Sequence, residues 1–102
     1  MPELRPNCEL CDKDLPPDAP DARICSYECT FCAACVEHEL HDVCPNCGGG
    51  FEARPVRPVR SWRETTGLAV DPAGTRRRHT PYSAAEIAEF AAPIAAIPPA
   101  ER

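Results

Sequence analysis

A small α+β domain stapled by bound metal and followed by a largely irregular tail is the fold this sequence predicts, and three observations carry that prediction. The chain has 102 residues and eight cysteines, all of them between positions 8 and 47. Its aromatic content is only 6%, which makes a thin core. A unit of roughly 50 residues buries too little apolar surface to offset chain entropy, so it needs disulfides, metal or a partner as a staple. Finally, the composition changes abruptly after Gly48, Gly49 and Gly50: cysteines stop, and proline, arginine and alanine take over. The expected organisation is a metal-binding domain over residues 1–50, a Pro/Arg-rich linker over 51–81 and a tail with a short helix over 82–102.

The cysteines fall in four close pairs: Cys8 with Cys11, Cys25 with Cys29, Cys32 with Cys35, and Cys44 with Cys47. Two cysteines separated by two residues can turn both sulfurs onto one metal through a tight knuckle, and eight thiolates fill two tetrahedral zinc sites with none left over. An even count also suits a secreted disulfide framework. The N-terminus, however, has no basic region leading into an apolar one, and no apolar run reaches the length of a membrane span. A reducing cytoplasm is therefore the expected location, and there paired cysteines read as metal ligands.

Within the head, residues 15–22 form a polar, proline-rich loop. Ile24, Cys25, Ser26 and Tyr27 alternate apolar and polar side chains and read as a short strand, with Thr30 and Phe31 on the returning strand of a hairpin. A helix is expected over residues 33–40, with Val36 and Leu40 on one face. Phe31, Val36, Leu40 and Val43 then make the core between the metals. Gly48 allows a left-handed turn after the last knuckle, a role that falls to Asp12 at the first.

Beyond the glycines, Arg54-Pro55-Val56-Arg57-Pro58-Val59-Arg60 repeats a triplet that suits an extended polyproline-like strip, either a stiff linker or a docking segment. Trp62, between Arg60 and Arg63 across Ser61, is either a docking anchor or a residue folded back on the head. Ser83 and Glu86 have the form of a capping box, so a helix is expected over residues 84–92, ended by Pro93, with Ile87, Ala91 and Ile94 as a weak apolar stripe. With so many prolines and so few aromatics, most of residues 52–102 reads as disordered.

Two wirings of the four pairs are open, sequential or interleaved. Only two residues part Cys29 from Cys32, too few for consecutive pairs to separate into independent lobes, so interleaving is favoured. That assigns Cys8, Cys11, Cys32 and Cys35 to one zinc, and Cys25, Cys29, Cys44 and Cys47 to the other. In order and spacing these ligands resemble the RING finger family, whose cross-brace binds two zinc ions. Cys29, Phe31, Cys32 and Cys35 resemble its His-x-Phe-Cys-x-x-Cys run, with Cys29 in the histidine's place, and Cys44-Pro45-Asn46-Cys47 resembles its Cys-Pro-x-Cys knuckle. More closely, the stretch from Glu3 through Cys8 to Cys44, Cys47 and Gly49 is similar to a group of short bacterial proteins classed as domain of unknown function 1272, a resemblance that implies no activity. A LIM-like sequential pairing is the rival, although it normally has a longer stretch between Cys35 and Cys44. Cys25, Cys29 and Cys32 also match by spacing the cluster triplet of radical enzymes, but those need a far larger barrel. No βαβ pattern surrounds any pair, which disfavours redox use.

Eight sulfurs around two metals leave no open coordination position, so the zincs are expected to be structural and the chain no enzyme. His38 and His41 stand beside the ligands as surface residues, and Ser26, Ser61 and Ser83 have no base partner that the sequence identifies. Residues 1–47 hold three cationic side chains against ten acidic ones, whereas the remainder holds eight against six. An acidic head repels phosphate backbones, so nucleic acid is not its ligand; Arg76, Arg77, Arg78 and His79 leave that role open to the tail. The favoured function is a zinc-stabilised interaction or regulatory module with an unknown protein partner. A RING-type ubiquitin ligase is the remaining alternative: the resemblance implies apolar docking positions at Leu10 and Pro45, yet no tryptophan lies between Cys35 and Cys44, and Gly48 stands where active ligases place a cation.

Overall fold

The computed structural model describes residues 3–102. β1 (Ala22–Ile24) and β2 (Thr30–Cys32) form an antiparallel hairpin with Arg23 opposite Phe31. A third strand, β3 (Glu52–Ala53), pairs antiparallel with the other edge of β1, giving the order β2-β1-β3. β1 lies earlier than the strand expected over residues 24–27. The amides that would have continued it are diverted: Tyr27 N–H points at the Cys25 sulfur and Glu28 N–H at the Cys25 carbonyl, while Glu28 turns left-handed at φ 66°. Apolar alternation there marks a turn around a sulfur, not a ladder.

The helix expected over residues 33–40 is present as α1 (Ala33–Cys35) continued by a π-helical segment (Val36–Leu40). Its wider last turn closes with Asp42 N–H on the Val36 carbonyl, and His41 and Asp42 both adopt positive φ. Such π turns are rare. This one aims Leu40 into the core, fully buried, while leaving Val36 only half-buried. Phe31, Val43 and Leu15 complete the interior, and Phe51 stands edge-on to Phe31 with ring centroids 5.5 Å apart.

Residues 54–82 are irregular in backbone yet fixed to the head. Gly74 N–H donates to the Leu4 carbonyl at 2.9 Å, and Thr80 N–H to the Glu9 carbonyl at 2.7 Å. Asn7 exchanges side-chain hydrogen bonds with the Arg78 backbone in both directions, and Arg77 reaches Asp12 and Asp14. The tail therefore compensates for its lack of apolar residues with side-chain amides and ion pairs. α2 (Ala84–Ile94) begins at the expected capping box, with Ser83 accepting from the Glu86 amide and Glu86 from the Ser83 amide. It runs through Pro93 instead of ending there. Proline forfeits a single amide, and the bond from Ala95 N–H to the Ala91 carbonyl at 2.8 Å carries the helix past it, while Ile87 and Ala91 are buried. Among the described residues, no helix is long and apolar enough to cross a membrane.

Candidate metal centres

Four sulfurs, those of Cys8, Cys11, Cys32 and Cys35, lie within 4.8 Å of one another. The first two come from a loop that reverses sharply: Asp12 N–H closes on the Cys8 carbonyl at 2.9 Å, and Asp12 holds φ at 64°, as expected of it. The other two straddle the start of α1, where residues three apart share a face. A second group joins Cys25, just past β1, to Cys44 and Cys47 within the same limit. Here the knuckle closes through Gly48 N–H on the Cys44 carbonyl at 2.7 Å, with Gly48 at φ 81°. Gly49 N–H and Tyr27 N–H point at the sulfurs of Cys47 and Cys25.

Cys29, the fourth sulfur expected in this group, falls outside the mutual 4.8 Å limit but stays in contact with it. It accepts a hydrogen bond from Asn46 Nδ2 at 3.4 Å, and its sulfur interacts with that of Cys44. The observed grouping thus sets the first cysteine pair beside the third, and the second pair's Cys25 beside the fourth. His38 and His41 are exposed and join neither group.

None of the eight cysteines is joined in a disulfide. Cys11 Sγ and Cys32 Sγ are 3.8 Å apart, far beyond the roughly 2.05 Å of a disulfide. With a zinc–sulfur bond of about 2.3 Å, the edge of a ZnS4 tetrahedron is about 3.8 Å. The donor set and its spacing therefore fit a soft divalent metal.

Residues 1–57, more than half the chain, match the family described as Protein of unknown function (DUF1272). The chain belongs to that family. An uncharacterised protein of Rhizobium meliloti (strain 1021) is 53% identical over 77 residues, which cover 72% of this chain and 92% of that protein. No solved structure matches the chain. The DUF1272 region takes in both sulfur groups and extends past the glycines to β3 and Arg54.

Crowding sets the acidity of these thiols. In the DUF1272 head, hydrogen bonding from the Cys44 thiol, helped by Asn46, holds Cys29 down at about 5, and the same bond pushes Cys44 up. Burial raises Cys25 to about 11 and also raises Cys35 and Cys11. Burial opposes ionisation at Cys8 too, but the amides of Cys11, Cys32 and Leu10 outweigh it and leave Cys8 lowered. Neighbouring thiolates in a dry site repel each other, so only a bound cation allows a whole group to ionise together.

Sequence reasoning missed two supports of the site. Glu9 is 3% exposed and uses Oε2 to accept from Thr30 N–H and Arg5 Nη1, tying the first knuckle to β2. Arg54 is 6% exposed and donates to the carbonyls of Arg5, Leu15 and Pro16, spanning the loop between the first two cysteine pairs. A Glu between two cysteines and an Arg before a proline carry no burial signal of their own.

Proposed function

We propose that this is a zinc-binding protein in which two ions serve purely as structural staples, in a RING-like cross-brace, and that the resulting scaffold makes contacts with a protein partner in the cytoplasm. The observation that supports this most is the pairing of sulfurs across the sequence, Cys8 and Cys11 with Cys32 and Cys35 all within 4.8 Å of one another, a pattern a sequential arrangement would not produce. Cys29 completes the second quartet alongside Cys25, Cys44 and Cys47, a short displacement from the contact it already makes. Thiolate-only donors favour zinc among the common divalent ions, and full quartets leave no position for a substrate.

A ligase reading fares worse. Pro45, one of the two apolar positions implied by the RING resemblance, is buried and lines a cavity together with Tyr82, Ile87 and Phe90 of the tail, so it does not stand free for docking. Nucleic-acid contact through the tail is likewise disfavoured, because Arg77 is engaged by Asp12 and Asp14, and Arg78 by Glu3.

Elemental analysis of the protein purified without added metal tests the proposal. Two equivalents of zinc per chain are expected, with loss of fold on chelation. A compact, chelator-resistant protein holding no metal would end the reading, and two equivalents of iron would end the zinc assignment.

A further inference from the structure

The segment after β3 remains without a role. Its sequence repeats Arg-Pro-Val twice, Arg54-Pro55-Val56 and Arg57-Pro58-Val59, before Arg60. A three-residue repeat matches the three residues per turn of a polyproline II helix, so each residue type occupies its own edge. The structure sorts these edges unequally. Arg54 points inward and is buried against three carbonyls, and Arg57 is half-buried with Nη1 on the Asp71 carbonyl at 2.8 Å. Pro55 and Pro58 are exposed, and Val56 and Val59 are 57% and 74% exposed. Residues 54–58 join neither helix nor strand, and Leu68 N–H on the Pro58 carbonyl ties the strip down at its far end. Arg60 then stands exposed, its guanidinium 6.0 Å from the ring of Trp62, itself 73% exposed.

The geometry points to residues 55–60 as a docking strip, extended over 55–58 and bending at Val59 and Arg60, presented to a partner protein whose groove has two aromatic-walled slots and a carboxylate at one end. Two outward Pro-Val pairs separated by one turn, about 9 Å apart, fit two such slots, and Arg60 supplies the cation for the acidic end. Recognition of this kind depends on a ligand that is stiff before binding, which is what the prolines and the Arg54 anchor provide. The charge agrees: the strip is cationic while the cysteine-bearing head beside it is acidic, so an acidic groove is drawn to the strip and kept off the head. This inference names a surface of the scaffold put forward above and rests on that reading.

The test uses the full, metal-loaded, 15N-labelled chain titrated with purified SH3 domains, with WW domains as a second class of aromatic-lined groove, and separately with a single-stranded oligonucleotide. The expected result is saturable binding by at least one domain with a dissociation constant in the micromolar range, amide shifts confined to residues 54–62, and at least tenfold weaker binding after Pro55→Ala with Pro58→Ala. Should the proline variant lose its fold, Val56→Ser with Val59→Ser decides instead, since both side chains already face solvent. No binding by any domain at millimolar concentration overturns the inference. So do shifts centred elsewhere, binding unchanged in the variants, or a preference for the oligonucleotide that falls steeply with salt. Metal content and thermal unfolding, measured on the same samples, separate the two claims: a folded chain with two zinc ions that binds no domain loses only the docking strip, whereas a chain without metal loses the scaffold.

Discussion

The head and the tail of this chain solve the same problem with different chemistry. Residues 8–47 gather eight sulfurs, and a small apolar core forms around them; residues 54–102 have almost no interior and are held by amides, guanidiniums and one short helix. The head's cysteine groups offer it a staple in metal, while the tail's order is borrowed from the head, because its long-range hydrogen bonds end mainly on backbone and side-chain groups of residues 3–16 and 42–48. A segment can thus be irregular, poor in hydrophobic residues and still fixed.

Removing the metal breaks this comparison most severely. A structural zinc at each proposed site would contribute on the order of 10–16 kcal/mol of apparent binding energy, more than the whole stability of an ordinary small domain. Chelation should erase the head's near-ultraviolet circular dichroism and, in the same step, the hydrogen-exchange protection of Thr80 and α2. A tail that kept its protection after the head had unfolded would show that it does not borrow its order.

Point substitutions sharpen the contrast. Phe31→Ala empties a fully buried position against Phe51 and should cost roughly 3–5 kcal/mol by denaturant melting of the metal-loaded protein. Phe90→Ala, at a tail ring 42% exposed, should cost about 1 kcal/mol or less. Equal losses would erase the distinction between a region with a core and one without. Arg54→Ala strips three carbonyls of their charged donor and is expected to cost roughly 3 kcal/mol, with zinc stoichiometry unchanged.

Much of the head was legible because closely paired cysteines announce themselves by spacing. The pairing of Cys8 and Cys11 with Cys32 and Cys35, the hairpin, the helix over residues 33–40, and the left-handed Asp12 and Gly48 all follow from short-range rules. The start of β1 did not, since amides that point at sulfur look like strand residues in an alternating pattern. Nor did the tail's order: Asn7 on Arg78 and Thr80 on Glu9 join residues about seventy apart through polar atoms, and no periodicity encodes such contacts. Leu15 and Phe51 escaped the expected core for a related reason, each being a lone apolar residue among polar or small neighbours.

The smallest effects lie at the start of α2. Ser83→Ala removes the cap from the Glu86 amide and should cost about 1 kcal/mol, seen as fraying of α2 alone. Hydrogen bonding from the Ser83 amide holds the Glu86 carboxyl below its ordinary range. The stabilisation it gives is present above the unfolded glutamate's titration and is lost as pH falls through the lower, folded value. Glu86→Gln should flatten that acid-side dependence of α2 amide exchange; an unchanged profile would remove the carboxylate from the account.

Thr80 is 3% exposed, bonds by its amide to Glu9 between Cys8 and Cys11, and turns its hydroxyl toward Asn46 between Cys44 and Cys47 at 3.5 Å. One residue late in the chain thus inspects both loops at once. Its berth exists only where each has closed, so a molecule with either loop open has nowhere to anchor its C-terminal segment.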